Sequence, residues 1–295
     1  MKIVYLHGWA FAPNIWQKIN YGLPDCITID SSGVKIRAKE SYSGNASLVK
    51  DRSCVCSSEC GTGKHSVYCP DLYILKPPFT FKNMARQLYD ELKSSNEDIL
   101  LVGWSMGGSI ALDLCRYDDL PIKGLVLISS TAKFMNEDDY EHGMSPIICR
   151  GLRRRLIYNK EETLRFFRTL LFPQDKWGSP AYCPEHRYSF AGITGHTRIP
   201  QESLLETLDE LYHTDYRDML DSIKAPVLII HGCDDQICPV QSGEYLHSNI
   251  SGSQIAVIED AGHMPFITQT EKFKELLTGF ISKIGVEEDH AVVVK

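Results

Sequence analysis

Gly103-Trp104-Ser105-Met106-Gly107 is the stretch of sequence that decides how this chain folds. It fits the pattern G-x-S-x-G, which is typical of a sharp turn from a strand into a helix. The apolar run 98–102 predicts a buried strand before the turn, and apolar residues at helical spacing over 108–115 predict a helix after it. We therefore predict that Ser105 projects from the strand end as a nucleophile, backed by a helix N-terminus. An ordinary glycine-rich turn is the alternative.

A nucleophilic serine needs a base, and the base needs an acid that orients it. Residues 225–232 predict a strand, and the loop after it carries two adjacent carboxylates. Asp235 is the predicted acid and Asp234 the alternative. A second predicted strand, 253–258, leads into a glycine-containing loop that holds His263, the predicted base. The other nine histidines have no such setting and are predicted to be structural or at the surface.

Attack of a serine on a carbonyl carbon also needs donors for the negative charge that develops on the carbonyl oxygen. Residues 2–6 predict a first strand, followed by the loop His7-Gly8-Trp9-Ala10. We predict that the backbone N–H groups of Trp9 and Met106 form this oxyanion hole. His7 is predicted to be a structural residue of the loop and not a second base.

These motifs together resemble the α/β-hydrolases, in which the order along the chain is serine, acid, histidine. Within that superfamily the chain most resembles the pimeloyl-[acyl-carrier protein] methyl ester esterases of biotin synthesis. The resemblance covers residues 1–26 and about 66–282, and it is carried by Leu6-His7-Gly8-Trp9, 103–108, 261–267 and, more weakly, 232–239. It implies a serine carboxylesterase that needs no cofactor and meets an acyl-carrier protein transiently.

Strands that alternate with helices predict an α/β fold with a mostly parallel central sheet flanked by helices. One catalytic core is expected from 1–131 and 215–285, interrupted by a helical cap at 132–214 and followed by a tail at 286–295. Amphipathic patterns predict cap helices over 145–158, 161–172 and 201–220. Such a cap would cover Ser105 and enclose an apolar site for an acyl chain.

The predicted cap is basic, although the whole chain has a net charge of −7. Residues 144–173 contain seven basic and two acidic side chains. The arginines are Arg150, Arg153, Arg154, Arg155, Arg165 and Arg168. They form either a solvated helix face or a docking patch for an acidic partner, since a guanidinium can bind two phosphate or carboxylate oxygens at once. The resemblance implies docking of an acyl-carrier protein, and no nucleic-acid partner is expected from an acidic chain.

The segment 31–65 adds about 35 residues that the resemblance does not cover. Its richness in Ser, Gly, Lys and Cys predicts a surface loop. The second main strand is predicted at either 26–30 or 67–71, and the sequence leaves both open. Cys54, Cys56, Cys60, His65 and Cys69 are of the types that bind zinc, but their spacing matches no paired C-x2-C arrangement, so no metal is expected.

Other features of the sequence predict the cellular location of the protein. No run of 18 apolar residues predicts a membrane span, and the start of the chain does not resemble a signal peptide, so a cytoplasmic monomer with reduced cysteines is expected. Two other functions remain open. One is a different hydrolase on the same triad: a small-ester esterase, a thioesterase or a carbon–carbon lyase of menaquinone synthesis. The other is a non-catalytic binding protein of the same fold.

Overall fold

A single sheet forms the centre of the computed structural model, which describes residues 1–16, 27–29, 35–37, 54–57, 65–172 and 199–286. The strands are β1 (Lys2–Leu6), β2 (Ile27–Ile29), β3 (Lys35–Arg37), β4 (Cys54–Ser57), β5 (Ser66–Cys69), β6 (Ile99–Trp104), β7 (Ile122–Ile128), β8 (Val227–Gly232) and β9 (Gln254–Ile258). The helices are α1 (Phe81–Lys93), α2 (Met106–Leu114), α3 (Pro146–Tyr158), α4 (Lys160–Thr169), α5 (Gln201–His213), α6 (Val240–Asn249), α7 (Pro265–Thr268) and α8 (Thr270–Val286).

The sheet has nine strands in the order β3-β2-β4-β5-β1-β6-β7-β8-β9. The six strands from β5 to β9 in that order run parallel to their neighbours. At the other edge, β4, β2 and β3 extend the sheet in antiparallel fashion. The predicted α/β class with a mostly parallel sheet is therefore confirmed.

The middle of the sheet is covered on both faces by helices. Every residue of β6 is buried, which a parallel strand achieves only when helices cover both of its faces. Helix α1 buries residues at the spacing of one helical face, and the Thr80 hydroxyl caps its first turn by accepting from Asn83 N. Helix α2 packs against α1, β6 and β1. The strand carrying the G-x-S-x-G turn thus lies in the most protected part of the core.

The segment 31–65 contributes to the sheet where the sequence predicted a loop. Its described parts, β3 and β4, are both strands, and β4 pairs antiparallel with β5 through the register Val55↔Tyr68. The remainder of the segment lies outside the described residues. The open question of the second main strand has a clear answer, because β5 lies directly beside β1 and parallel to it, whereas β2 pairs only with β3 and β4.

Three helices of the described part of the chain lie in the region predicted as the cap. Helix α3 starts after Ser145, whose hydroxyl accepts from Ile147 N, and Asn159 both ends α3 and caps α4. The helix predicted over 161–172 ends at Thr169, and the one predicted over 201–220 divides into α5 and a short 3-10 helix, Arg217–Ser222. Residues 173–198 lie outside the described part. The exact limits of the cap, 132–214, remain a prediction.

The two segments that enter and leave the cap lie side by side. Lys133 and Asp215 form an antiparallel bridge, and the Lys133 ammonium lies 3.3 Å from the Asp215 carboxylate. Tyr216 N donates to the carbonyl oxygen of Ala132 at 2.8 Å. The neighbouring Arg217 guanidinium pairs with Asp215 and, with the Lys133 ammonium, holds the pKa of that carboxyl at about 2 although burial acts to raise it. The cap therefore leaves and rejoins the core at one point.

Candidate active site

The G-x-S-x-G turn has the strained backbone that its sequence predicts. Ser105 has φ 54° and ψ −119°, a conformation that side-chain-bearing residues rarely adopt. Its N–H donates to the carbonyl oxygen of Ile128 at 3.0 Å, which ties the turn to β7. A Cβ at Gly103 would lie 2.5 Å from the carbonyl oxygen of Gly107, and a Cβ at Gly107 would overlap the carbonyl oxygen of Leu6. Only glycine therefore permits this approach of α2 to β1 and β6.

A buried carboxylate and imidazole lie together at the ends of β8 and β9. The Asp235 Oδ2 and Oδ1 atoms lie 2.8 and 3.0 Å from Nδ1 of His263. Asp235 Oδ1 also accepts from the backbone N–H groups of Ile237 and Cys238, each at 2.9 Å. Burial alone would raise the pKa of Asp235, but the positive charge that His263 carries when protonated and its hydrogen bond hold that pKa below its usual range. Asp235 is thus an anion that accepts from His263 Nδ1–H.

The adjacent carboxylate, Asp234, occupies a different environment. Its side chain is exposed, and its backbone N–H donates to the carbonyl oxygen of Ala261 at 2.9 Å. Of these two adjacent residues, Asp235 therefore contacts His263 and Asp234 faces solvent.

The second ring nitrogen of His263 is free to accept a proton. With Nδ1–H donated to Asp235, Nε2 carries a lone pair, and it is buried with no hydrogen-bond partner among the described residues. The loop is fixed by two bonds: His263 N donates to Leu171 O at 3.0 Å, and Trp104 Nε1 donates to His263 O at 2.8 Å. A buried imidazole nitrogen without a partner is costly unless a substrate or nucleophile uses it.

An apolar pocket lies in front of Ser105, between the core and the cap. Residues from each of the three cap helices line it, among them Ile148, Leu152, Phe166, Leu170 and Leu208. The pocket holds only about 10 Å³, room for about one water molecule. The side chains that line this pocket are mostly apolar.

The two predicted oxyanion donors lie at the same edge of the sheet as Ser105. Leu6 pairs in register with Gly103, so the loops after β1 and β6, which carry Trp9 and Met106, leave the sheet side by side. Trp9 lines the Ser105 pocket, and its indole donates to Leu204 O of α5 at 3.0 Å. His7 is buried and uses both ring nitrogens, since Nδ1 lies 3.0 Å from Gly8 O and Nε2 accepts from Leu72 N at 3.1 Å.

Two residues that the sequence did not single out lie against this site. His231, at the end of β8, places Nε2 2.8 Å from Cys238 O and 3.5 Å from Asp235 Oδ2. Burial lowers the pKa of His231, so the ring is neutral and Nε2–H is the donor. Tyr73, in the turn after β5, contacts the loop that carries Trp9. The one sequence signal for both is their position at the carboxyl end of a parallel strand.

The predicted docking arginines are not equivalent. Arg150, Arg154, Arg155 and Arg165 are exposed, and the Arg155 guanidinium lies 5.0 Å above the Phe166 ring at the pocket. Arg153 instead forms a two-point ion pair with Asp209 of α5, at 2.5 and 2.9 Å. Arg168 is half-buried, and burial lowers its pKa. Only the exposed four are therefore available to a partner on the outer face of the cap.

The described residues offer no metal site and no membrane span. Within 1–16, 65–172 and 199–285, no three His, Cys, Asp or Glu side chains are arranged to hold a metal ion. Of the cysteines with zinc-binding chemistry in the sequence, Cys60 lies outside the described residues, and only the backbone is described for Cys54 and Cys56. No helix in the described ranges combines the length and apolar character needed to cross a bilayer.

Known proteins match this chain along most of its length, including residues on both sides of the cap. The profile of the alpha/beta hydrolase family matches residues 3–276. The pimeloyl-[acyl-carrier protein] methyl ester esterase of Pseudoalteromonas atlantica is 24% identical over 273 residues, which span 92% of this chain and 91% of that protein. The protein of the same name from Neisseria meningitidis is 30% identical over 189 residues, or 61% and 68% of the two chains. A solved esterase from Exiguobacterium antarcticum matches with a TM-score of 0.71 at 24% identity, over 96% of this chain and 92% of that one.

Proposed function

Because the chain belongs to the alpha/beta hydrolase family, we propose that it hydrolyses carboxylic esters with Ser105, His263 and Asp235 as its catalytic triad. One observation carries the proposal. Asp235 accepts a hydrogen bond from Nδ1 of His263, and the buried Nε2 of the same ring has no hydrogen-bond partner among the described residues. The loop that carries His263 is bonded to Trp104, the residue before Ser105. An imidazole held in this way is poised to take the serine proton.

The reaction follows from these positions. His263 Nε2 takes the hydroxyl proton of Ser105 while Oγ attacks the ester carbonyl carbon, and Asp235 stabilises the imidazolium. The backbone N–H groups of Trp9 and Met106 bind the oxyanion. The intermediate collapses, the alkoxide leaves with the proton from His263, and an acyl group remains on Ser105. Water, deprotonated by His263, then releases the acid and restores the serine.

The preferred substrate is the methyl ester of a pimeloyl group carried on acyl-carrier protein. The relatives named for that activity, at 24 and 30% identity, suggest it. The apolar lining of the pocket suits a methylene chain, whose burial contributes roughly 0.8 kcal/mol per CH₂. No cofactor takes part in this chemistry.

The basic outer face of the cap is the proposed dock for the carrier protein. Arg150, Arg154, Arg155 and Arg165 are exposed there, and Arg155 lies beside the pocket residue Phe166. An acidic protein with a phosphate-bearing arm could bind these guanidinium groups while its acyl chain enters the pocket. Arg153 is excluded from this set because its ion pair with Asp209 holds α3 to α5.

A fluorophosphonate probe tests the triad itself. The probe should label the folded wild-type protein and the Ser109→Ala variant, whose altered serine is buried one turn along α2. Ser105→Ala should remain unlabelled with an unchanged melting temperature. Absence of labelling in the folded wild-type protein would instead favour a non-catalytic binding protein.

Charge reversal tests the docking face. Arg154→Glu combined with Arg155→Glu should lower kcat/KM for the carrier-protein ester by about tenfold or more, since several charge-assisted contacts are lost. Hydrolysis of a short p-nitrophenyl ester should stay within twofold. Arg86→Glu, which alters an exposed arginine on α1, serves as the control and should affect neither substrate. Equal losses on both substrates would reject the dock and leave a small-ester esterase as the better description.

A further inference from the structure

Tyr73 places its hydroxyl where three parts of the site meet. The oxygen lies 3.1 Å from Ala10 N in the Trp9 loop, 3.3 Å from Thr207 Oγ1 of α5, and 4.0 Å from the sulfur of Met106. The side chain is buried, and it stacks on His7 with ring centroids 5.8 Å apart. A single hydroxyl group thus joins the core, the cap and the residue after the nucleophile.

The direction of each hydrogen bond follows from counting protons. Thr207 Oγ1 donates its one proton to the carbonyls of its own helix, 2.8 Å from Ser203 O and 3.2 Å from Leu204 O. Toward Tyr73 it is therefore the acceptor. Burial raises the pKa of Tyr73, so the phenol keeps its proton and donates it to Thr207. The phenol oxygen is then left to accept from Ala10 N–H.

The loop that Tyr73 holds is under backbone strain. Ala10 has φ 60°, a left-handed conformation that residues with a side chain rarely adopt. It directly follows Trp9, whose N–H is the proposed oxyanion donor. Within the turn, Phe11 N reaches Gly8 O at 3.3 Å. The bond from Ala10 N to the Tyr73 hydroxyl holds the Trp9–Ala10 peptide from outside the turn.

The cap contributes to the same anchorage. Thr207 lies on α5, and one turn earlier the carbonyl of Leu204 accepts from the indole of Trp9 at 3.0 Å. The backbone of Tyr73 is fixed locally, because its N–H donates to the carboxylate of Asp71, two residues earlier, at 3.1 Å. Helix α5 therefore touches the oxyanion loop through two bonds, one direct and one relayed by Tyr73.

We propose that Tyr73 is a positioning residue for the oxyanion hole. By holding the Trp9–Ala10 peptide it fixes the backbone of Trp9, whose N–H is the proposed donor, and this anchorage is complete only when α5 of the cap contacts Tyr73 through Thr207. This inference rests on the proposed serine-esterase function. It makes Tyr73 and Thr207 determinants of turnover although neither contacts the reacting atoms.

Removal of one oxygen atom tests the assignment. In Tyr73→Phe, kcat for a p-nitrophenyl ester should fall about tenfold, part of the roughly 10²–10³ that loss of a whole oxyanion donor costs. KM should stay within twofold, because the ring and the pocket are unchanged. Tyr68→Phe is the matched control. Tyr68 lies on β5, and its hydroxyl donates to Glu91 at 2.7 Å, away from the Trp9 loop. Wild-type kcat in Tyr73→Phe would overturn the proposal.

A measurement that needs no substrate distinguishes failure of this inference from failure of the esterase proposal. Hydrogen exchange of the Ala10 amide should accelerate at least tenfold in Tyr73→Phe and not in Tyr68→Phe, and unchanged exchange would overturn the role of Tyr73. If Tyr73→Phe does not fold, Thr207→Val decides: a lower kcat with unchanged KM supports the relay, and wild-type kcat overturns it. Failure of the esterase proposal looks different, because Ser105→Ala would then hydrolyse the ester as fast as the wild type.

Discussion

The indole N–H of Trp104 donates a 2.8 Å hydrogen bond to the backbone carbonyl oxygen of His263. It joins the residue before Ser105, the proposed nucleophile, to His263, the proposed base, which lies 159 positions after Trp104 in the chain. The Trp104 ring also packs edge-on against Phe11 and Phe266, with centroids 4.8 and 5.1 Å away. Trp104 therefore connects the strand end next to Ser105 to the loop that carries His263.

Trp104→Phe should impair turnover more than its loss of volume predicts. The variant keeps an aromatic ring but frees the His263 carbonyl, so we expect kcat to fall about tenfold and the free energy of unfolding to fall by roughly 3 kcal/mol. Trp16→Phe is the control, because the buried Trp16 Nε1 has no hydrogen-bond partner among the described residues. Urea unfolding and ester hydrolysis measure both. Equal kcat losses in the two variants would contradict a specific role for the Trp104 bond.

Two neighbouring aspartates provide an internal comparison. Asp235→Asn removes the anion that accepts from His263 Nδ1 and favours the wrong tautomer, so kcat should fall by about 10³–10⁴. Asp234→Asn changes an exposed carboxylate and should leave kcat within twofold. Steady-state kinetics on a p-nitrophenyl ester decides between them. The reverse ranking would move the acid to Asp234.

Two glycines should respond in opposite directions to the same added methyl group. In Gly107→Ala the Cβ would overlap the Leu6 carbonyl oxygen, which is backbone and cannot move aside, so the variant should be severely destabilised. At Gly151, on the exposed face of α3, an added Cβ would meet no atom within 4 Å. Gly151→Ala should therefore raise the free energy of unfolding by about 0.5–1 kcal/mol through helix propensity. Thermal unfolding measures both, and a stable Gly107→Ala would refute the tight turn.

Acid should weaken the fold in a window set by two buried histidines. Burial lowers the pKa of His7 and of His231 from the ordinary value of 6.5. Below that pH the unfolded chain binds protons that the folded chain does not, so this stability is complete above 6.5 and declines as the pH falls. Each group contributes at most about 1.4 kcal/mol per pH unit.

Urea unfolding at pH 7.5 and pH 5.5 measures the effect. His231→Gln, which keeps a donor for Cys238 O, should reduce the difference between the two pH values by about 1 kcal/mol. His213→Gln, which alters an exposed histidine, is the control variant in the same measurement. A pH dependence that His231→Gln does not alter would show that this histidine is not held neutral.

The sequence predicted the parts of the site that follow from local patterns. Periods of two and 3.6 located the strands and helices, and turn residues located Ser105, Asp235 and His263 at strand ends. Parallel strands bring their carboxyl ends to one edge, so this reasoning predicted that the three residues lie near one another. The structure brings Asp235 Oδ2 to 2.8 Å from His263 Nδ1 and places Ser105 directly after β6.

Contacts between distant segments could not be predicted in the same way. Tyr73 meets Ala10 and Thr207 across 63 and 134 positions, and nothing local in the sequence marks such a contact. The same holds for Arg153. In the sequence it is one residue of a basic run, but in the structure it pairs with Asp209 across 56 positions. The strands within 31–65 were missed because they are three and four residues long. Tertiary pairing stabilises them and local propensity does not.

Hydrolysis of pimeloyl-carrier-protein methyl ester is the most direct test of the central claim. The ester should be compared with a short p-nitrophenyl ester at matched enzyme concentration, with Ser105→Ala as the control. We expect a strong preference of the wild-type protein for the carrier-protein ester and loss of both activities in Ser105→Ala. Turnover in Ser105→Ala at the wild-type rate would rule out Ser105 as the nucleophile.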